Sequence, residues 1–175
     1  MICPGCAAEM QTLSLAGRLG INVDVDGCTI CHALWFDEFE SLQLAPASIL
    51  KLFHLIAEHD DGAEWPARSL ACPRCLSPLS ITHDRQGTTK FEYWRCEKEH
   101  GRFITFLNFL REKDFVRPPS PRQLAELRAS AQTVNCSNCG GPIDLVSDSA
   151  CRHCGSPVTV LDVKQMMANW LKTAK

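Results

Sequence analysis

The fold is decided by Cys3-Pro4-Gly5-Cys6 and Cys28-Thr29-Ile30-Cys31, two Cys-x-x-Cys pairs with a strand-like segment between them. Such a pair directs two thiolates at one metal ion from a single tight turn, and two pairs supply the four ligands of a structural zinc. The spacing recurs further along the chain, at Cys72/Cys75, Cys136/Cys139 and Cys151/Cys154. We therefore predict a protein organised around bound metal.

The 11 cysteines extend this pattern to three complete ligand sets. Cys96 stands outside any pair, but His100 follows it four positions later and gives a sixth two-ligand unit. Site one would be formed by Cys3, Cys6, Cys28 and Cys31. Site two would be formed by Cys72, Cys75, Cys96 and His100. Site three would be formed by Cys136, Cys139, Cys151 and Cys154.

The fourth ligand of site two is open to alternatives. His100 is the predicted ligand because neutral imidazole is the usual companion of three cysteines. If His100 is instead a solvated loop histidine beside Gly101, then Glu97, Glu99 or His83 could take the position. A fourth position left to water would give this site an opening for catalysis.

The beginning of the chain and its hydropathy predict a cytoplasmic protein. Met1-Ile-Cys-Pro-Gly-Cys6 does not resemble a signal peptide, and no apolar run approaches the ~18 residues of a transmembrane helix. Thiols in that compartment stay reduced, which favours three structural Zn²⁺ ions over disulfides. A rubredoxin-like iron site remains an alternative for any one cluster, since four thiolates in a tetrahedron also suit iron.

Charge is distributed unevenly although the net charge is only -2. Residues 1–64 contain two basic and ten acidic side chains, a net of −8, and residues 65–175 have a net of +6. The acidic cluster of the first part is interpreted as a solvated face that repels nucleic acid or docks a basic protein.

An internal repeat predicts an α+β fold of three zinc ribbons connected by amphipathic helices. Unit one is residues 1–45, a connecting helix lies in residues 46–66, unit two is residues 67–131 with its following helices, and unit three is residues 132–175 with a C-terminal helix. Sequential pairing of the cysteine pairs is preferred to a cross-braced arrangement. The relative packing of the units is left open.

Periodicity places the elements. Helices are predicted at about 46–59, 104–114, 121–131 and 162–173, the third after an N-cap at Ser120. Strands are predicted at 21–26 and 90–95, with a hairpin tip in the polar segment 83–88. The side chains of Phe103, Phe106, Phe109 and Leu110 are assigned to the core of unit two.

Residues 1–44 resemble one family. Cys3-Pro-Gly-Cys6, Val23-Asp-Val-Asp-Gly-Cys28, Cys31 and Trp35-Phe-Asp37 are similar to the bacterial transcription factor IIB-type zinc-ribbon family. The resemblance implies one bound zinc and a three-stranded ribbon. The chain departs from the family's pattern at Thr29, Ala33 and Phe39-Glu40. The other two clusters resemble generic short zinc ribbons.

The predicted function is that of a non-enzymatic zinc-binding adaptor with a protein partner and no small-molecule substrate. The main alternative is a nucleic-acid-associated protein that uses residues 65–128, where basic side chains gather: Arg68, Arg74, Arg85, Lys90, Arg95 and Arg102. The third is a zinc hydrolase at site two. The aromatic side chains of strand 90–95 would stack on bases in a nucleic-acid-associated protein. In an adaptor they would fill a thin core.

Overall fold

The computed structural model describes residues 1–57, 69–87, 89–138 and 141–161, without the side chains of residues 46 and 53–57. Within these ranges the chain is a mixed α+β protein built mostly from antiparallel sheet. The helix predicted at 162–173 lies outside the described residues, as do Cys139 and Arg68.

One six-stranded antiparallel sheet joins units one and two. Its strands are β1 (Gln11–Ala16), β2 (Asn22–Cys28), β3 (Ala33–Phe36), β4 (Ser80–Gln86), β5 (Thr89–Arg95) and β6 (Arg102–Thr105). Their order across the sheet is β1-β2-β3-β6-β5-β4. Each unit therefore contributes three strands, and the third strand of each lies at the centre of the sheet.

The junction between the two units is the pairing of β3 with β6. Ala33 lies opposite Thr105 and Phe36 opposite Arg102. Gly101 allows this close approach, because a Cβ atom built there would lie 2.3 Å from the carbonyl oxygen of Phe36. Its φ of +136° is also one that residues with a side chain rarely adopt. The sheet thus settles the open question of packing for units one and two.

The two faces of this sheet bury different sets of side chains. On the face that packs against helices, Val25, Leu34, Phe36 and Ile104 join Phe109 of one helix in an apolar cluster. The opposite face holds the cysteines of sites one and two together with Trp35 and Phe103. Alternation along β3 and β6 produces this division, since successive side chains of a strand point to opposite faces.

Four helices accompany the strands: α1 (Glu40–Gln43), α2 (Pro46–Ala57), α3 (Phe106–Glu112) and α4 (Pro121–Ser130). Helix α2 begins where predicted, and α4 begins after the predicted N-cap, with Ser120 and Gln123 forming a capping box. The helix predicted at 104–114 was placed too early, because Ile104 and Thr105 belong to β6. Pairing with β3 draws both residues into the sheet.

The strand predictions held except at one hairpin. Strands β2 and β5 cover the predicted segments 21–26 and 90–95 to within two residues. The hairpin tip predicted at 83–88 was too long, since residues 83–86 pair with β5 as part of β4. Polar side chains suit this position because β4 is an edge strand whose residues are largely exposed.

Unit three is smaller and forms its own two-stranded sheet from β8 (Thr133–Asn135) and β9 (Pro142–Asp144). Its core contains five buried residues, Cys136, Ile143, Leu145, Cys151 and Val158. Several contacts attach it to unit two: β10 (Val160–Leu161) pairs with β7 (Val116–Arg117), and Leu127 of α4 packs on its core. The Thr105 hydroxyl also donates to Asn138, and Arg128 donates to the Leu145 carbonyl.

Candidate metal centres

The same backbone turn presents the cysteines in all three units. In unit one the Cys3 amide donates to the Ala8 carbonyl, and the Ala7 amide donates back to the Cys3 carbonyl. The turns at Cys72 and Cys151 repeat both hydrogen bonds at the same spacing. An isolated bridge closes each turn, at Ile2–Glu9, Ala71–Pro78 and Ala150–Pro157. The repeat seen in the sequence is therefore a repeat of hydrogen bonding.

Site one brings together its four predicted ligands. The sulfur atoms of Cys3 and Cys31 are 3.4 Å apart, and those of Cys6 and Cys28 are 3.5 Å apart. A tetrahedral thiolate site with metal–sulfur bonds of ~2.3 Å has sulfur–sulfur edges of about 3.8 Å. The cluster is thus within a few tenths of an ångström of the size that such an ion requires.

Site two brings together Cys72, Cys75, Cys96 and His100, with all ligand atoms within 4.8 Å of one another. The His100 Nδ1 atom lies 3.6 Å from the Cys96 sulfur and 3.9 Å from the Cys72 sulfur. Two of the alternatives to His100 are engaged elsewhere: Glu97 accepts a hydrogen bond from Ser80, and His83 lies beside Glu92. The third, Glu99, is not a member of the cluster.

Site three is described for three of its four predicted ligands. The sulfur atoms of Cys136, Cys151 and Cys154 cluster within 4.8 Å, and those of Cys136 and Cys154 are 3.6 Å apart. Cys139 lies outside the described residues. The backbone N–H of Asn138 donates to the Cys136 sulfur at 3.4 Å. The backbone N–H of Gly5 makes the corresponding contact to the Cys3 sulfur in site one. Across the described residues the clusters are sequential and not cross-braced.

Proton affinity within site one favours a cation at its centre. Hydrogen bonds from Cys3 and Cys31 lower the pKa of Cys28 to about 2. The neighbouring Cys28 sulfur in turn raises the pKa of Cys3 to about 12, and that of Cys31 is raised for the same reason. In site two, hydrogen bonds from Ser77 lower the pKa of Cys75 to about 6, and burial raises that of Cys72. A divalent metal replaces the shared protons of such clusters.

An ion pair ties site two to unit one. Arg74, in the first turn of site two, donates through Nε to Asp37 at 3.0 Å and pairs with the same carboxylate through a second nitrogen. Asp37 also accepts from the Trp35 indole at 2.8 Å. Trp35 is buried against the cysteines of both sites. Arg74 is therefore paired within the protein and less available to contact a phosphate, which weakens the nucleic-acid alternative.

A second basic residue of that alternative is also engaged. Arg102 donates to Glu112 at 2.6 Å and to the Ser41 hydroxyl. Its guanidinium lies 4.9 Å from the centre of the Tyr93 ring, within the range of a cation–π contact. Within strand 90–95, Phe91 is buried in the α-helical face of the sheet. These contacts support the core interpretation of the aromatic strand.

Sequence reasoning missed the residues that join the units. The sequence singled out Asp37 as part of a family resemblance and Arg74 as a member of a basic cluster, and nothing in their spacing indicates that they meet. Gly101 was noted only as the neighbour of His100. The side chains of Phe103, Phe106, Phe109 and Leu110 are buried as predicted. They lie in two clusters, both shared with unit one: Phe103 in the cysteine cluster, and the other three in the apolar cluster on the opposite face of the sheet.

Comparison with known proteins yields no relatives: no family model, no curated protein and no solved structure matches the chain. None of the helices in the described part of the chain combines the length and apolar character needed to cross a membrane. Conclusions about function therefore rest on the geometry of the three clusters and of the surfaces around them.

Proposed function

We propose that each cluster holds a structural Zn²⁺ ion, that the three units are zinc ribbons, and that the chain is a non-enzymatic adaptor for a protein partner. Two soft-ligand pairs at tetrahedral spacing support zinc as the metal. Four protein ligands complete a zinc coordination shell, so sites one and two would offer no position to a substrate. The three-stranded form of unit one, β1 to β3, is what the resemblance of residues 1–44 implies.

The observation on which the adaptor proposal rests is a set of exposed apolar side chains on strained backbone. Leu76 has a φ of +59° and is 80% exposed, and Phe39 has a φ of +65° and is 63% exposed. The left-handed conformation costs residues with a side chain about 1–2 kcal/mol, which a glycine would avoid. Bulky, exposed apolar side chains at such positions add little to the stability of the fold. Their presence therefore supports a role in contact with another protein.

These side chains share one region of the molecule, which we call the Phe39–Leu76 surface and define as Phe39, Leu42 and Leu76. Phe39 follows Asp37 by two residues and Leu76 follows Arg74 by two, so both flank the Asp37–Arg74 ion pair. Leu42, in α1, is 62% exposed. The surface thus spans the boundary between units one and two and depends on both metal sites for its shape.

The partner that fits this surface is a protein with an apolar ridge bordered by basic side chains. Residues 1–64 have a net charge of −8, and Glu38 and Glu40 lie beside Phe39 in the sequence. Such a field attracts a basic protein surface and repels nucleic acid. Burial of exposed apolar area would supply the affinity, at about 25 cal/mol per Å² before the costs of association.

The test uses substitutions that remove the side chains without straining the fold. The double variant Phe39→Gly/Leu76→Gly is expected to keep its zinc content and thermal stability, because glycine tolerates both backbone conformations. Nuclease-treated extracts would be passed over the immobilised wild type and the variant, and the retained proteins identified by mass spectrometry. A basic protein held by the wild type and lost from the variant is the expected result.

The matched control is Val146→Ala, which removes exposed apolar area from unit three, where Val146 is 68% exposed. This variant is expected to retain the same partner as the wild type. Identical sets of proteins on all three columns would contradict the adaptor proposal, as would retention that disappears on nuclease treatment.

A further inference from the structure

A cleft of about 980 Å³ lies between unit two and unit three. Its walls are the β4–β5 hairpin, β7 and the Cys154 turn of site three, and α3 forms its floor. None of the residues that line the cleft precedes His83, so the cleft includes neither Asp37 nor Arg74. It is therefore separate from the Phe39–Leu76 surface.

Two hydrogen-bond donors on the floor of the cleft find no acceptor in the part of the chain that the structure describes. Arg111 is 7% exposed and Asn108 is 1% exposed, and both line the cleft. Arg111 Nη1 donates to Asn108 Oδ1 at 3.2 Å. That contact leaves Arg111 Nη2 and Asn108 Nδ2 buried without a hydrogen-bond partner among the described residues. Buried donors in this condition are rare and call for an acceptor.

The walls add positive charge to this floor. Arg85, Lys90 and Arg117 line the cleft together with the carboxylates of Asp84 and Glu92. The carboxylates are engaged, since Asp84 accepts from the Arg85 amide and Glu92 lies beside His83. Arg117 donates to Pro118 and Gln123. The thiolates of site three are the remaining negative groups nearby.

We propose that this cleft binds a phosphate group, held on the floor by Arg111 Nη2 and Asn108 Nδ2. A guanidinium edge with an adjacent amide presents parallel N–H donors, which match two oxygens of a phosphate. The volume exceeds what one phosphate fills, so a nucleotide or a short single strand of nucleic acid also fits. Lys90 and Arg85 would then contact neighbouring phosphates of a strand.

Energetics favour an anion at this position. A buried donor left without an acceptor is destabilising, and the oxygens of a bound phosphate would satisfy both donors. Burial also lowers the pKa of Arg111, while the thiolates of Cys136 and Cys154 and the carboxylate of Glu92 raise it.

The test is a titration of the full chain, loaded with zinc, with inorganic phosphate and in a second arm with a short oligothymidylate. Binding would be followed by NMR at the side-chain amide of Asn108 and the guanidinium of Arg111. Asn108→Asp keeps the shape and the contact to Arg111 but places a carboxylate where the phosphate would sit. It is expected to weaken binding by about tenfold or more.

The matched control is Asn22→Asp, the same chemical change at an exposed position of β2 in unit one, which should bind as the wild type does. Arg111→Lys is a second variant, expected to weaken binding by loss of the paired donors. Much tighter, salt-dependent binding of the oligothymidylate supports the proposal and identifies nucleic acid as the source of the phosphate. Equal binding of both ligands supports it and identifies a small phosphate compound. Absence of shifts in the wild type, or equal binding by Asn108→Asp, overturns it.

Discussion

Units one and two differ from unit three in how the candidate metal sites are embedded. The cysteines of sites one and two lie in one apolar cluster with Trp35 and Phe103, beneath a six-stranded sheet that has a second core on its other face. Site three lies in a cluster of five buried residues beside a two-stranded sheet. The same turn therefore packs into a core shared by units one and two, and into a small separate core in unit three.

This difference determines how much of the structure a bound metal ion would stabilise in each region. The core formed by the described residues of unit three is far smaller than that of an independently stable domain, so an ion bound at site three is expected to supply a large share of its stability. In units one and two the ions and the apolar clusters stabilise the same structure. Loss of one ion should then be transmitted through the sheet, whereas loss at site three should remain local.

The largest expected effect comes from removing a ligand in each region. Cys72→Ser is expected to lower the zinc content by about two ions per chain, and Cys151→Ser by about one, because a structural zinc contributes on the order of 10 kcal/mol of folding free energy. Zinc would be measured by elemental analysis of the purified protein. Amide hydrogen exchange of β2 would report on unit one.

Retention of site-one zinc and of β2 protection in Cys72→Ser would show that the two units are energetically independent despite their common sheet. Loss of protection in β2 on substitution of Cys151 would contradict the local character of unit three. Either result would remove the contrast between the regions.

The junction itself is tested by Gly101→Ala. The new methyl group would meet the Phe36 carbonyl, and the backbone would keep a φ of +136° that alanine resists. We expect a loss of about 3 kcal/mol or more in the free energy of unfolding, measured in urea.

Gly87→Ala is the matched control for that measurement. Gly87 also has a positive φ, of +57°, but a Cβ atom there meets no described atom within 4 Å. The loss should be limited to the conformational cost of about 1 kcal/mol. Equal losses in the two variants would mean that the approach of β6 to β3 does not limit the fold.

The smallest expected change in stability comes from substitutions at one position of the three cysteine turns. Ala7, Leu76 and Gly155 occupy the same position after the second cysteine, and each has a positive φ. The left-handed cost of about 1–2 kcal/mol is partly offset by the extra freedom of glycine in the unfolded chain, about 0.4–1 kcal/mol. Leu76→Gly should therefore stabilise by about 0.5 kcal/mol, and Gly155→Ala should destabilise by a similar amount. Thermal unfolding of the zinc-loaded proteins would measure both, and a destabilised Leu76→Gly would assign the leucine a role within the fold.

Sequence patterns predicted the features that depend on residues close together in the chain. Cysteine spacing identified the members of sites one and two, including His100, because each turn is set by a few hydrogen bonds within eight residues. The pairing of β3 with β6 could not be read from the sequence, since a run of four buried residues in β3 and three in β6 suits a helix core or a sheet interior equally well. For the same reason Ile104 and Thr105 were assigned to a helix.

The position of β3 at the centre of the sheet has a consequence for the order of synthesis. Its four residues are buried on both faces, and its outer edge is covered only by β6, which ends at Thr105. As the chain leaves the ribosome, Leu34, Trp35 and Phe36 appear long before their partner strand. Until then an apolar strand edge is open to other chains, so rapid metal loading of unit one alone would not protect the nascent protein from aggregation.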